Sequence, residues 1–506
     1  MVTLAPFVNK AFHIDDPLFV WMAQQVSKHP LDPYGFAVNW ASFPEPMWKA
    51  MQNPPLCSYY IAAIAAVGGW SELAQHLGFM IWPVMSVLGT FAVARRFCSA
   101  PLVAALCAFF TPVFLVSATN VMCDVMLLAL WIWAIEFWLA GLESNRWWYF
   151  ALSAFLISAA SLTKYFGVAL LPLLATHTLL CGRSKGWRLL FLLLPVAVIA
   201  AYELWTKAHY GQGLFSYAVF YSHTVSTGSK SNLLSQLLTG LAFAGGSILL
   251  PAFLWRRHLW FLVVLGLAAF YFCLPINSDW QLGTNLAAVK VEGGIFAAIG
   301  FAIIAFGLFD LARECSIQSV FLTIWIVGTF AFAVFLNWSI TARTFLPMAP
   351  AAAILVVRRV PRPWPMFLAA IAALFIACAD YVQADSARDA ANFAARHLRD
   401  TSGTLWFQSH WGFQYYMERA GATPLNAHDS EITTGDTMIV PANNTAVTAI
   451  RPDKILSPQS RAFRVFPYLT TMGRTTGAAF YSSARGPIPW AIDRVPPETY
   501  YVVRFR

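Results

Sequence analysis

Charge is what this 506-residue chain has least of: lysine, arginine, aspartate and glutamate make up only 11% of it, against about 25% in soluble globular chains. With 58% of the residues hydrophobic, that deficit excludes an ordinary soluble protein and points to a polytopic α-helical membrane protein. The eight cysteines (57, 98, 107, 123, 181, 273, 315 and 378) are scattered, none in a C-x-x-C pair and none beyond Cys378. This excludes a disulfide framework and a thiolate zinc site and leaves them as small apolar fillers. Internal repeats and low-complexity segments are absent, so a transporter built from two related halves finds no support. No secretory signal is visible. The fourteen residues before Asp15 include Asn9, Lys10 and His13, and a span needs about 20 apolar residues.

The net charge of +9 does not imply nucleic acid. The basic residues fall in short clusters between apolar runs, as the positive-inside bias requires. The runs lie at roughly 74–95, 100–118, 121–141, 147–163, 165–181, 187–206, 232–254, 259–275, 287–310, 318–337, 341–357 and 364–381, about twelve spans in all. Before them, residues 12–55 read as a polar loop with short helices, and residues 56–69 as a helix lying in the interface. After them, residues 382–506 regain Arg, Asp, Thr, Pro and Asn. They predict a small extracytoplasmic α/β domain, with a helix at 386–399 and strands at Leu405–Phe407, Met438–Val440 and Tyr500–Phe505. The chain thus divides into a first outer loop (1–73), a membrane core (74–381) and a C-terminal domain (382–506).

Alternate connections carry Arg95 and Arg96; Arg146; Arg183, Lys185 and Arg188; Arg256 and Arg257; Arg313; and Arg358, Arg359 and Arg362. The others carry only Lys164, Lys207, Lys230, Lys290 and Arg343. The first set is expected on the cytoplasmic side. That places Asp15, Asp16, Asn120, Lys164, the 207–231 and 276–290 loops, Arg343 and everything after residue 381 outside.

Four polar positions then share the outer face. Asp15-Asp16 suits a general base with a neighbour that orients the acceptor or binds a metal; the ordinary alternative is a helix cap. Asp124 sits within a turn of the outer end of a span, where an ionisable residue is costly and points to function. Lys164 and Arg343 sit at outer helix ends. Each fits interfacial anchoring, and each also fits a phosphate ligand, Arg343 through a two-pronged grip. Acids to handle a hydroxyl and bases to receive a departing phosphate are the inventory of a phospho-sugar transferase. His13, His209 and His223 read as structural or interfacial. The aromatic run His410–Tyr416 reads as an amphipathic helix packing on its own sheet, with sugar stacking as the alternative.

The order of these motifs resembles the GT-C glycosyltransferases, and among them the protein O-mannosyltransferases and lipid A aminoarabinose transferases. Asp15-Asp16 stands for an Asp-Glu pair and Asn53-Pro54-Pro55-Leu56 for Lys-Pro-Pro-Leu. Asp124 opens the corresponding span, Thr163, Lys164 and Gly167 form a Thr-Lys-x-x-Gly-like turn, and Arg343, Pro347 and Pro350 an Arg-x-x-x-Pro-x-x-Pro-like span start. The resemblance covers roughly residues 12–360. It implies a multi-pass enzyme of the inner (plasma) membrane, with active site and C-terminal domain on the periplasmic side. It would move sugar from a polyprenyl-phosphate donor to a lipid, glycan or protein hydroxyl, with inversion. In these terms Asp15 is the base, Asp16 and Asp124 position the acceptor or a divalent cation, and Lys164, Arg343 and Asn53 face the donor phosphate. The 207–231 and 276–290 loops help form the acceptor cavity. The family carries a span before its acid pair, so the resemblance also implies a start upstream of Met1 or a truncated form. The competing reading is a transporter or flippase of a lipid-linked saccharide. A scaffold presenting residues 382–506 gives no reason for the four polar positions to share a face.

Overall fold

The computed structural model describes residues 2–228, 233–250, 260–274, 280, 282, 285–360, 364–398, 403–456 and 458–506. Each of the twelve apolar runs is mostly helical over its described part, because a backbone in lipid must satisfy its hydrogen bonds within the segment. Six helices are long and apolar enough to cross a membrane: Glu72–Ala94, Cys123–Ser144, Gly186–Tyr210, Leu286–Glu314, Ile317–Leu336 and Phe367–His397. A seventh arises if the bent pair Pro101–Phe109 and Pro112–Ala118 forms one span. The expected twelve are therefore not established; Trp147–Thr163, Tyr165–Leu180, Leu233–Ile248 and Val263–Cys273 are apolar but shorter, and Met348–Arg359 has only 12 residues. The 64° bend in the pair has a local cause. Pro112 cannot donate to the preceding turn, and the Thr111 hydroxyl accepts from Phe114 N–H and starts a new helix. Leu190, Leu193 and Leu204 stay exposed along one span, as suits a side facing lipid. The protein is a multi-pass membrane protein with a sheet-containing C-terminal domain.

Cys123–Ser144 is the axis of the bundle, buried along most of its length. Its 22 residues span about 33 Å, with Asp124 at one end. At the other, Arg96 grips Glu136, with Nη2–Oε1 at 2.6 Å, and also pairs with Glu143. Arg358 and Arg359 pair with Asp310 and Glu314. Charge thus collects at two separate ends. Lys230, Arg256, Arg257 and Arg362 lie outside the described residues.

Two segments differ from expectation. Most of 207–231 is helix, the end of Leu193–Tyr210 followed by Leu214–Gly228, because its apolar side chains outweigh the polar ones; residues 229–231 lie outside the described residues. Of 276–290, residues 286–290 already belong to the helix Leu286–Glu314, and 276–279, 281, 283 and 284 lie outside. The helix expected at 386–399 is the end of one 34-residue helix, Trp364–His397. Its alanine-rich sequence offers no Gly or Pro stop at residue 382, so the core runs unbroken into the domain.

That domain holds a five-stranded sheet, ordered Thr423–Pro424, Leu405–Phe407, Thr437–Pro441, Glu498–Arg504, Gln459–Phe463. The first three strands are parallel and the last two pairings antiparallel. The helix Trp411–Arg419 buries Phe413, Tyr415, Tyr416 and Met417. Phe413 meets Phe407 and Tyr500 of the sheet, so the aromatic run packs as expected. Its other face meets the first outer loop: Phe12 packs edge-on against Tyr415 at 5.1 Å.

Candidate active site

The chain enters the site through a strained step. Ile14 has φ 46°, a region a β-branched residue avoids, and it turns Asp15 and Asp16 in different directions. Asp15 stands at the N-cap of the helix Asp16–Lys28 but makes no capping bond. Its Oδ2 instead accepts from Arg343 Nη2 at 2.8 Å, with its side chain 32% exposed. Asp16 is fully buried, with Oδ2 accepting from His13 N–H (2.8 Å) and Oδ1 from Val121 N–H (3.0 Å). Burial pushes its carboxyl up to about 7, against the pull of those two amides. Asp16 therefore ties the outer loop to the segment before Asp124. In this structure both of its oxygens are occupied by backbone amides and its side chain is buried, unlike that of Asp15.

Lys164 follows the helix Trp147–Thr163 in extended conformation. The turn behind it folds back so closely that a Cβ on Gly167 would come within 2.4 Å of Ser161 N, which explains the glycine in that motif. Lys164 Nζ donates to Asp124 Oδ1 at 2.7 Å. Asp124 Oδ2 lies 3.5 Å from Arg343 Nη1. Lys164, Asp124, Arg343 and Asp15 thus form one unbroken chain of alternating charge, drawn from four separate elements. Within it Asp124 is 2% exposed and Asp15 is the most open. The four expected residues come together. Asn53 does not: its carbonyl accepts from Tyr34 Oη at 2.7 Å and its Nδ2 faces the Met51 sulfur. Among the described residues no hydrogen bond joins its side chain to the charged chain, because a neutral amide has no Coulomb attraction to draw it in.

Arg343 is held by more than its partners. Its turn, Ala342–Phe345, is capped by the Thr341 hydroxyl. Just before Arg343 the backbone is clamped to the C-terminal domain, Ala342 N–H to Phe480 O (2.9 Å) and Ser483 N–H to Ile340 O (2.8 Å). The Tyr481 ring lies 5.1 Å from the guanidinium carbon.

Tyr481 leads to a second buried cluster that the motifs did not disclose. Its hydroxyl donates to Asp380 (2.9 Å to Oδ2) and accepts from Asn120 Nδ2 at 2.9 Å. Lys10 Nζ donates to the same Asp380 and to Asn120 Oδ1, each at 2.5 Å, with Lys10 and Asp380 fully buried. His13 packs edge-on against Tyr481, and burial lowers its pKa to about 4, so it is neutral there. One signal was available: Asp380 is an acid inside the last apolar run, and such a group needs a partner. Lys10→Met should leave that carboxylate buried and unpaired, at a cost of about 3–5 kcal/mol. Thermal unfolding in detergent should show a large drop that Lys10→Met with Asp380→Leu partly recovers. An unfolding temperature unchanged in the single variant would mean the pair does not form.

The donor set does not fit a resident divalent cation. Such an ion wants a shell of oxygen ligands, whereas Arg343 occupies the space between Asp15 and Asp124. Among the described residues no group of three or more His, Cys, Asp or Glu side chains is placed to hold a metal.

Residues 52–205 match the family model of dolichyl-phosphate-mannose-protein mannosyltransferases. That stretch contains Asn53, Asp124 and Lys164 and agrees with the resemblance to GT-C glycosyltransferases carried by the motifs. Solved structures to which the chain is similar include the following three. ArnT from Cupriavidus metallidurans in the apo state is 14% identical, covering 87% of this chain and 91% of that one, with a TM-score of 0.46. The oligosaccharyltransferase AglB from Archaeoglobus fulgidus, in complex with an inhibitory peptide and a dolichol-phosphate, is 12% identical, covering 85% and 66%, with a TM-score of 0.49. The arabinofuranosyltransferase AftD from Mycobacteria is 14% identical, covering 99% and 41%, with a TM-score of 0.35. No curated protein matches the sequence.

Proposed function

We infer that this chain is a membrane glycosyltransferase that moves a sugar from a polyprenyl-phosphate donor to an acceptor hydroxyl on the extracytoplasmic face, with inversion. The observation that carries this reading is the chain Lys164–Asp124–Arg343–Asp15. It sets two cations beside one accessible carboxylate at a single end of the bundle. The match of residues 52–205 to a family named for a dolichyl-phosphate-mannose donor supports the same chemistry.

In this reading the Asp15 carboxylate takes the proton of the acceptor hydroxyl. The acceptor oxygen attacks the anomeric carbon from the face opposite the phosphate. The bond from that carbon to the phosphate oxygen breaks, and its electron pair leaves on the lipid phosphate. Lys164 and Arg343 receive the added negative charge, Arg343 through its planar fork. Asp124 holds both cations in place between turnovers. Asp16 acts at one remove, by fixing the backbone from which Asp15 projects.

Purified protein in detergent, incubated with a panel of polyprenyl-phosphate sugars and a mixed acceptor pool, should release free polyprenyl phosphate from one donor class. No release from any donor by a folded, full-length protein would favour a transporter or flippase of lipid-linked saccharides.

A further inference from the structure

Two arginines of the C-terminal domain share a carbonyl oxygen. Arg474 Nη2 and Arg485 Nη1 both donate to Asn444 O, the latter at 3.2 Å. Two guanidinium groups on one oxygen lie within a few ångströms of each other and repel. Arg485 is only 8% exposed, its Nε has no hydrogen-bond partner, and its guanidinium carbon lies 5.4 Å from the centre of the Trp411 ring. Among the described residues neither arginine makes an ion pair. Glu498 is held off by Asn443, which donates to its Oε1 at 2.8 Å and accepts from Arg485 Nη2 at 3.1 Å. Burial and the neighbouring Arg474 push Arg485 down to about 9, against the weaker attraction of Glu498. Trp411 itself is held at φ 68°. A buried cation normally has a counter-charge in contact with it; among the described residues the nearest one acting on Arg485 is Glu498, kept one amide away by Asn443, and the point where the two arginines converge holds only a carbonyl oxygen.

We propose that Arg474 and Arg485, floored by Trp411, form an oxyanion site that takes a phosphate or carboxylate group carried by the acceptor. Assigning the anion to the acceptor rests on the glycosyltransferase reading; the site itself does not. Its position favours the acceptor over the donor phosphate. The donor phosphate already has Lys164 and Arg343, and Arg485 lies four residues beyond Tyr481, which covers Arg343. The loop that steadies the donor arginine therefore also carries the second anion site, on the side of the water-facing domain.

The test is thermal unfolding of the full chain in detergent, titrated with sodium phosphate or sodium acetate against sodium chloride of equal ionic strength. Phosphate or acetate should raise the unfolding temperature by about 1–3 °C beyond chloride at saturating concentration. The anion with the larger increment names the acceptor group. Arg474→Gln should remove the increment, since Arg474 is half-buried and tolerates replacement. Should that variant not fold, Arg474→Lys keeps the charge and loses the fork, and the increment should fall. An increment equal to chloride's, or one retained in Arg474→Gln, would overturn the site, the latter by assigning the anion to Lys164 and Arg343. No turnover is read, so failure here is separate from failure of the glycosyltransferase reading.

Discussion

Asp15→Asn should lower sugar transfer by at least about 10²–10⁴-fold, the usual contribution of a positioned general base, while the protein stays folded and inserted. The amide matches the carboxylate in size. Its Oδ1 can still accept from Arg343 Nη2, a bond of 2.8 Å in the native chain. Asp15 makes no helix-capping bond and is partly open, so little of the fold depends on its charge. What is lost is the ability to take a proton. Release of polyprenyl phosphate and the unfolding temperature, measured on the same preparation, separate the two effects. Full activity in a folded Asp15→Asn protein would remove Asp15 from the base role.

Arg343→Ala should weaken use of the lipid donor more than use of the acceptor. Hydrogen bonds to charged groups contribute about 1.5–3 kcal/mol each, so losing even one bond of the fork should lower kcat/KM for the donor by about 10–150-fold. The acceptor constant should move less. Arg343→Lys is the informative companion: it restores a positive charge but not the planar pair of donors, and should recover only part of the loss. Equal losses in the donor and acceptor constants would argue that Arg343 holds the site together without touching phosphate. Its clamp to Phe480 and Ser483 makes that comparison necessary, since a buried arginine between two acids also has a structural role.

The sequence by itself determined a good deal. A charge content of 11% and repeated apolar runs dictated helices wherever lipid has to be crossed, because lipid offers a backbone no other hydrogen-bonding partner. The motif positions singled out Asp15, Asp124, Lys164 and Arg343, which the folded chain brings into one network. Three strands of the C-terminal sheet were legible from their apolar runs, whereas Thr423–Pro424 and the exposed Gln459–Phe463 were not. Only the tertiary structure decided the rest. The break within the run 100–118 lies where Thr111 and Pro112 start a new helix, which composition does not show. Asp15 and Asp16 are adjacent in sequence, yet one is partly exposed and the other is sealed by two backbone amides. The left-handed turn at Ile14 parts them, and no periodicity rule anticipates it. Lys10 and Asp380, 370 positions apart, meet because a buried charge must find its counter-charge wherever the fold supplies one. Chemical need is written at each residue, but its partner is chosen by packing, and packing exists only in three dimensions.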